Sequence, residues 1–192
     1  MNAQAVTLGV LAGGAGSRLG GVDKAWLERD GAPQVLRWVE RFGCDADAVL
    51  VSANRGHERY RAGGLTAIAD SAPGQGPLGG LHALAHACRT PWLLTLPVDV
   101  VALPSDLLPR LRAGGVHGAC ARDDDGLQPL VALWPVAVLR RAADAALAEG
   151  ACAAHALVQR LALTVVPFAG MRFGNLNTPD DLRHAGAVIR DE

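Results

Sequence analysis

Short, dense apolar runs alternate along the chain with longer amphipathic stretches. The runs fall at Val6–Leu11, Ala48–Ser52, Leu65–Ala69 and Trp92–Leu96. Their apolar positions are nearly continuous rather than alternating, the pattern of parallel strands buried on both faces. Between them, Pro33–Phe42, Leu78–Cys88 and Ser105–Arg112 read as helices. Strand and helix in alternation predict right-handed crossovers and a three-layer α/β/α fold, with ligands beyond the carboxyl ends of the strands.

The pattern changes in the second half. His117–Arg122 and Gln128–Trp134 flank an Asp-Asp-Asp-Gly turn and read as a hairpin. Pro135–Glu149 reads as a helix with proline near its start and Gly150 just past its end. Thr164–Phe168 reads as a further strand, and Thr178-Pro179 as a helix start with threonine as N-cap. The expected sheet is mostly parallel, with some antiparallel pairing in this half. A length of 192 residues suits a single domain, with a first half (1–115) and a second half (116–192) of different pattern.

Composition narrows the function classes. Apolar residues make up 50% and charged residues 19%, enough for a core and no case for disorder. A net charge of −1 with scattered arginines lacks the basic footprint of a nucleic-acid binder. Cys44, Cys88, Cys120 and Cys152 are far apart, with neither the spacing of a cysteine-based zinc site nor a disulfide framework. They read as reduced thiols in a reducing compartment. The opening MNAQAVTLGVLAGG has no basic n-region and a short, glycine-broken apolar run, so neither a signal peptide nor a membrane span is expected. The expected location is cytoplasmic.

The most informative stretch is LAGGAGSRLGGVDK, Leu11–Lys24, directly after the first strand. Glycines there let backbone N–H groups converge on an anion, and Arg18 and Lys24 add positive charge. It is not a P-loop, since Lys24 lies between Asp23 and Ala25, nor a dinucleotide fingerprint, since Leu19 stands where glycine is required. The alternative is a glycine-rich surface turn with a solvated arginine and lysine. Asp99 follows the run Trp92–Leu96 at the edge where the cleft should open, where a carboxylate can hold Mg²⁺ or simply cap the loop; Asp70 ends the third run, where a turn former is an equal alternative. Asn175 and Asn177 precede a helix N-terminus suited to a phosphate, with helix capping an equal alternative for which Thr178 is the better candidate.

Two further groups read as incidental. His82 and His86 are four apart on a helix, the spacing of a zinc-binding pair, but Ala83 stands where a hydrolytic zinc helix has glutamate, so surface or packing histidines are expected. Asp123-Asp124-Asp125-Gly126 lacks spaced calcium ligands and reads as a solvated turn.

LAGGAGSRLGGVDK resembles the signature of NTP-dependent nucleotidyltransferases, most closely the molybdenum cofactor guanylyltransferases. VSANR at Val51–Arg55, Asp70 to Gly80, PVD at Pro97–Asp99, QPLVALW at Gln128–Trp134 and NLNTPDDL at Asn175–Leu182 follow in the order of that family. The resemblance covers nearly the whole chain and implies transfer of GMP from GTP to molybdenum-loaded molybdopterin, with Mg²⁺ as cofactor and pyrophosphate released. It implies that Leu11, Ala12 and Gly13 contact the nucleotide, Lys24 the phosphates, Asp70 the nucleoside and Asp99 the Mg²⁺. Gly13-Gly14 is the pairing that favours guanine over cytosine. Ser52 stands where the family can have a nucleotide-contacting asparagine, Leu19 where methionine is usual, and Val98 and Val100 where some members have cysteine and threonine. The family also implies transient contact with molybdenum-insertion proteins or recipient apoenzymes, by a monomer or weak oligomer. Two alternatives stay open: a relative using CTP or a sugar phosphate, and a non-catalytic nucleotide-binding regulator.

Overall fold

The computed structural model describes residues 4–14, 19–72, 74, 76–150 and 153–189. The chain opens with β1 (Val6–Leu11), a 3₁₀ turn (Lys24–Trp26), β2 (Glu28–Arg29), β3 (Ala32–Pro33) and α1 (Gln34–Gly43). It continues through β4 (Ala48–Ser52), α2 (His57–Ala62), β5 (Ala67–Ile68), α3 (Pro77–Ala87), β6 (Trp92–Pro97) and α4 (Leu107–Ala113). The second half holds β7 (Ala119–Asp123), β8 (Gly126–Pro135), α5 (Val136–Ala148), α6 (Ala154–Arg160), β9 (Thr164–Pro167), α7 (Pro179–Ala185) and β10 (Ala187–Val188).

Seven strands form one sheet in the order β5-β4-β1-β6-β8-β7-β9. The first four pair in parallel, while β8 runs antiparallel to both β6 and β7, so one sheet joins the two halves. The expected mixed α/β architecture is therefore observed. Strand order reverses between β1 and β6, the switch point where two loops diverge and a cleft opens.

The near-continuous apolar runs have their explanation in the two cores. Val6, Leu8 and Val10 of β1 pack with α1 and α4 residues such as Trp38, Phe42 and Leu111 in one core. Leu93 of β6 joins the second, with Leu81 and Leu84 of α3 and Leu139 and Ala143 of α5. A Cβ on Gly9 would lie 2.9 Å from Leu93 and 3.0 Å from Leu84, so the missing side chain lets α3 sit close to the sheet.

Several expectations need correction. The third apolar run supplies only the two-residue β5, in which Ala67 and Ile68 pair with Val51 and Ser52 of β4. The α4 helix starts two residues late, after the turn at Ser105–Asp106. The short α2 and α6 helices and a second sheet, in the order β10-β2-β3, are additional to the expected elements. The β2–β3 turn is Asp30-Gly31 with φ of 53° and 81°, the left-handed pair that a two-residue hairpin demands. Asp123 is buried rather than solvated: its carboxylate accepts from the amides of Asp125, Gly126 and Phe173 and from Gln128 Nε2.

Candidate active site

At the switch point lies a cavity of about 680 Å³, lined by the residues following β1, β4, β5 and β6. Leu11, Ala12, Gly13 and Gly14 form one wall. Ser52, Asp70, Lys24, Asp99 and Asn177 line the remainder, so nine of the residues singled out in the sequence converge on one space. Asn175 does not line it; its backbone pairs with Val100 and it is exposed. Arg18 lies outside the described residues.

Backbone hydrogen bonds set the wall. Ala12 N–H donates to Ser52 O at 2.8 Å, and Val98 N–H donates to Leu11 O at 2.9 Å, so the loops after β1, β4 and β6 stay in register past the strand ends. The N–H groups of Gly13 and Gly14 donate to no carbonyl among the described residues. Such amides at the head of a parallel strand suit an anionic ligand.

Lys24 is held by both halves of the chain. Its Nζ donates to Asp99 Oδ2 at 2.8 Å and to Asn177 Oδ1 at 2.6 Å. Asp23 sets this geometry: its side chain caps the 3₁₀ turn by accepting from Ala25 N–H at 3.0 Å, which fixes the backbone from which Lys24 projects. Burial raises the Asp23 pKa, against the lowering effects of that amide and of Arg55 and Arg59. The 175–181 segment is anchored by Leu176 N–H, which donates to Asp99 O at 2.8 Å. Thr178 and Asp181 form a reciprocal capping box, and Asp181 Oδ2 also accepts from Asn177 N–H. Capping is thus done by Thr178, and the Asn177 side chain is left for Lys24.

Asp70 forms the opposite pole. Its Oδ1 accepts from Ser52 Oγ at 2.7 Å and its Oδ2 from Asn54 Nδ2 at 2.9 Å, while its own N–H donates to Asn54 Oδ1 at 2.9 Å. Glycines make room for this cluster. A Cβ on Gly80 would fall 2.5 Å from Ser52 Oγ, and one on Gly13 3.2 Å from Asn54 Nδ2 and Asp70 Oδ2. Asn54, Arg55 and Gly80 line the cavity without having been singled out as site residues. The signal for Asn54 lay within VSANR, but its partner Asp70 is 16 residues away and only the fold joins them.

The donor set at Asp99 fits a hard divalent cation. Mg²⁺ takes one or two carboxylates and fills its remaining positions with substrate phosphates and water. Asp99 offers a partly exposed carboxylate whose Oδ1 is bonded to no described residue, beside a cavity that holds an anion-suited loop.

Glycine amides, a lysine and a carboxylate at the switch point of such a sheet suit a nucleotide, and similarity to known proteins makes this one a nucleotidyltransferase. Residues 8–164 match the model of the MobA-like NTP transferase domain, and the chain belongs to that family. A Cereibacter sphaeroides protein named molybdenum cofactor guanylyltransferase is 39% identical over 189 residues, covering 95% of this chain and 96% of its own. A relative of the same name from Cupriavidus pinatubonensis is 37% identical, covering 91% and 92%. The structure of molybdopterin-guanine dinucleotide biosynthesis protein A from Archaeoglobus fulgidus superposes with a TM-score of 0.70 at 21% identity, over 93% of this chain and 96% of that one, a likeness of fold.

Proposed function

We propose that this enzyme transfers GMP from GTP to molybdenum-loaded molybdopterin, with Mg²⁺ held at Asp99. The observation that carries the transfer chemistry is the meeting of Lys24, Asp99 and Asn177 on the cavity that also holds Gly13 and Gly14. The names of relatives that align along nearly the whole chain support the guanine and the pterin.

In the proposed reaction a phosphate oxygen of the acceptor attacks the α-phosphorus in line. A new P–O bond forms, the bond to the bridging oxygen of the β-phosphate breaks, and that electron pair leaves with pyrophosphate. An acceptor phosphate is already ionised at pH 7, so no protein nucleophile or strong base is needed. The work left to the chain is charge neutralisation and alignment. The amides of Gly13 and Gly14 bind triphosphate oxygens, and Lys24 offsets charge gathering on the leaving group. Mg²⁺, when bound, polarises the phosphoryl oxygens. Asp70, braced by Ser52 and Asn54, orients the nucleoside. Leu130 and Asn177 lie on the acceptor side, in the half of the chain that follows residue 116.

Calorimetry with GTP, CTP, ATP and UTP, each with Mg²⁺, tests this reading. Selective GTP binding that weakens in Asp99→Ala is the expected result. Preference for CTP would overturn the guanylyl assignment, and equal binding of all four would remove base selectivity from the site.

A further inference from the structure

On the face opposite α1, α3 and α5 pack side by side, and one polar cluster joins them outside the nucleotide cavity. His82 and His86 lie one turn apart on α3, with ring centroids 4.4 Å from each other. Asp144 of α5 faces both: His82 Nε2 is 2.8 Å, and His86 Nε2 2.9 Å, from the same oxygen, Asp144 Oδ1. The two ring nitrogens and the carboxylate oxygen lie within 4.8 Å of one another.

We propose that His82, His86 and Asp144 form a binding site for a first-row divalent transition cation such as Zn²⁺, separate from Asp99 and independent of which nucleotide the enzyme uses. The donor set is two imidazoles and one carboxylate, borderline ligands that suit zinc, nickel or copper and discriminate against magnesium. Tetrahedral coordination with bonds of about 2.0–2.1 Å needs ligand atoms about 3.3 Å apart, so small side-chain rotations open room for the ion. Solvent reaches the site, because the side chains of His86 and Asp144 are 45% and 51% exposed.

Three further features prepare the site. His82 Nδ1 lies 2.5 Å from Ser71 Oγ, on the loop after β5, and a metal-binding histidine needs such a partner to fix its ring and free the other nitrogen. Arg140 holds α5 against the end of α3 by donating to Ala85 O and Cys88 O, so the frame carrying Asp144 is set before any ion arrives. His86 sits in the last turn of α3, where the helix dipole favours positive charge. The histidine pair alone matched only part of a zinc helix; its third ligand lies 58 residues beyond His86 on another element. Ala83 stands after His82 where a hydrolytic zinc helix has its glutamate base. Its work is to clamp α3 to α5 and to tether Ser71, the neighbour of Asp70.

The test is calorimetric titration of the chelator-treated full chain with Zn²⁺, together with the visible spectrum of the Co²⁺ form and melting with and without Zn²⁺. The expected result is one equivalent bound, a cobalt spectrum without a sulfur charge-transfer band, and a melting temperature raised by zinc. His86→Ala and Asp144→Ala, both at exposed positions, abolish the binding and the thermal shift while folding as wild type. Ser71→Ala weakens binding by roughly 10-fold, and Asp99→Ala leaves it intact. Absence of stoichiometric binding, binding unchanged in both His86→Ala and Asp144→Ala, or a cobalt spectrum dominated by thiolate would each overturn the proposal.

Discussion

At the scale of single residues, the site depends on groups that have room and on groups that do not. Gly80 has none: its Cβ would meet Ser52 Oγ at 2.5 Å and Asp70 Oδ1 at 3.1 Å. Gly80→Ala therefore displaces the Ser52–Asp70 pair. Losing a hydrogen bond to a charged group costs about 1.5–3 kcal/mol, so nucleotide affinity should fall roughly 10- to 100-fold with the fold retained; nucleotide titration beside far-UV circular dichroism checks both. Asp123 works through stability instead. Burial pushes its pKa up, but the bonds from Phe173, Gln128, Asp125 and Gly126 outweigh that and hold the carboxyl below its ordinary value. A depressed folded-state pKa gives stability that is full above the unfolded value of about 3.9 and lost as pH falls through the folded one. Asp123→Ala should cost about 1–3 kcal/mol at pH 7 by leaving buried donors unpaired, and should flatten the acid limb of stability. A denaturation series from neutral to acid pH measures both. Gln128, part of the QPLVALW motif, donates to this carboxylate, so its role in the structure is to support the β7–β8 turn.

At the scale of elements, residues far apart in sequence act together because their elements are capped and paired. The Thr178–Asp181 box starts α7 and orients Asn177 towards Lys24. Thr178→Ala should lower stability by about 1 kcal/mol and raise KM for nucleotide through the slackened Asn177, a coupling that melting curves and steady-state kinetics separate. The strands β1 and β4 were legible residue for residue, since apolar side chains must fill both faces of a central parallel strand. The hairpin of β7 and β8 and the helix α5 were legible as elements, with ends displaced by one or two residues, and the Thr178 cap of α7 was legible outright. What escaped was short or paired at long range. The Asp30-Gly31 hairpin carries a turn signal, but two-residue strands show no periodicity, and β10 joins them from the far end of the chain. The α2 and α6 helices, of six and seven residues, span too few turns to display an apolar stripe.

At the scale of the whole molecule, the reversal of strand order between β1 and β6 turns separate motifs into one site. Leu11–Gly14 and Pro97–Asp99 leave adjacent parallel strands on the same side, and Asn177 arrives from the C-terminal segment to meet them. Most of this convergence was legible in the motifs, because glycine-rich loops and carboxylates at strand ends point to the ligand-binding edge of such a sheet. The partners of those motifs were not: Asn54 under Asp70 and Asp23 under Lys24 act through contacts that only the folded chain creates. Asn175, chosen with Asn177 for its position before a helix, is turned to backbone pairing with Val100. Among the described residues no helix is long and apolar enough to cross a membrane.

The most direct test of the central claim is pyrophosphate release from GTP and Mg²⁺ in the presence of molybdenum-loaded molybdopterin, by wild type and Asp99→Ala. The predicted result is acceptor-dependent release by the wild type and a rate lower by about 10²–10³ in the variant, the loss expected for one preorganised electrostatic group. Release at the same rate from both proteins, or none from the wild type, would contradict it.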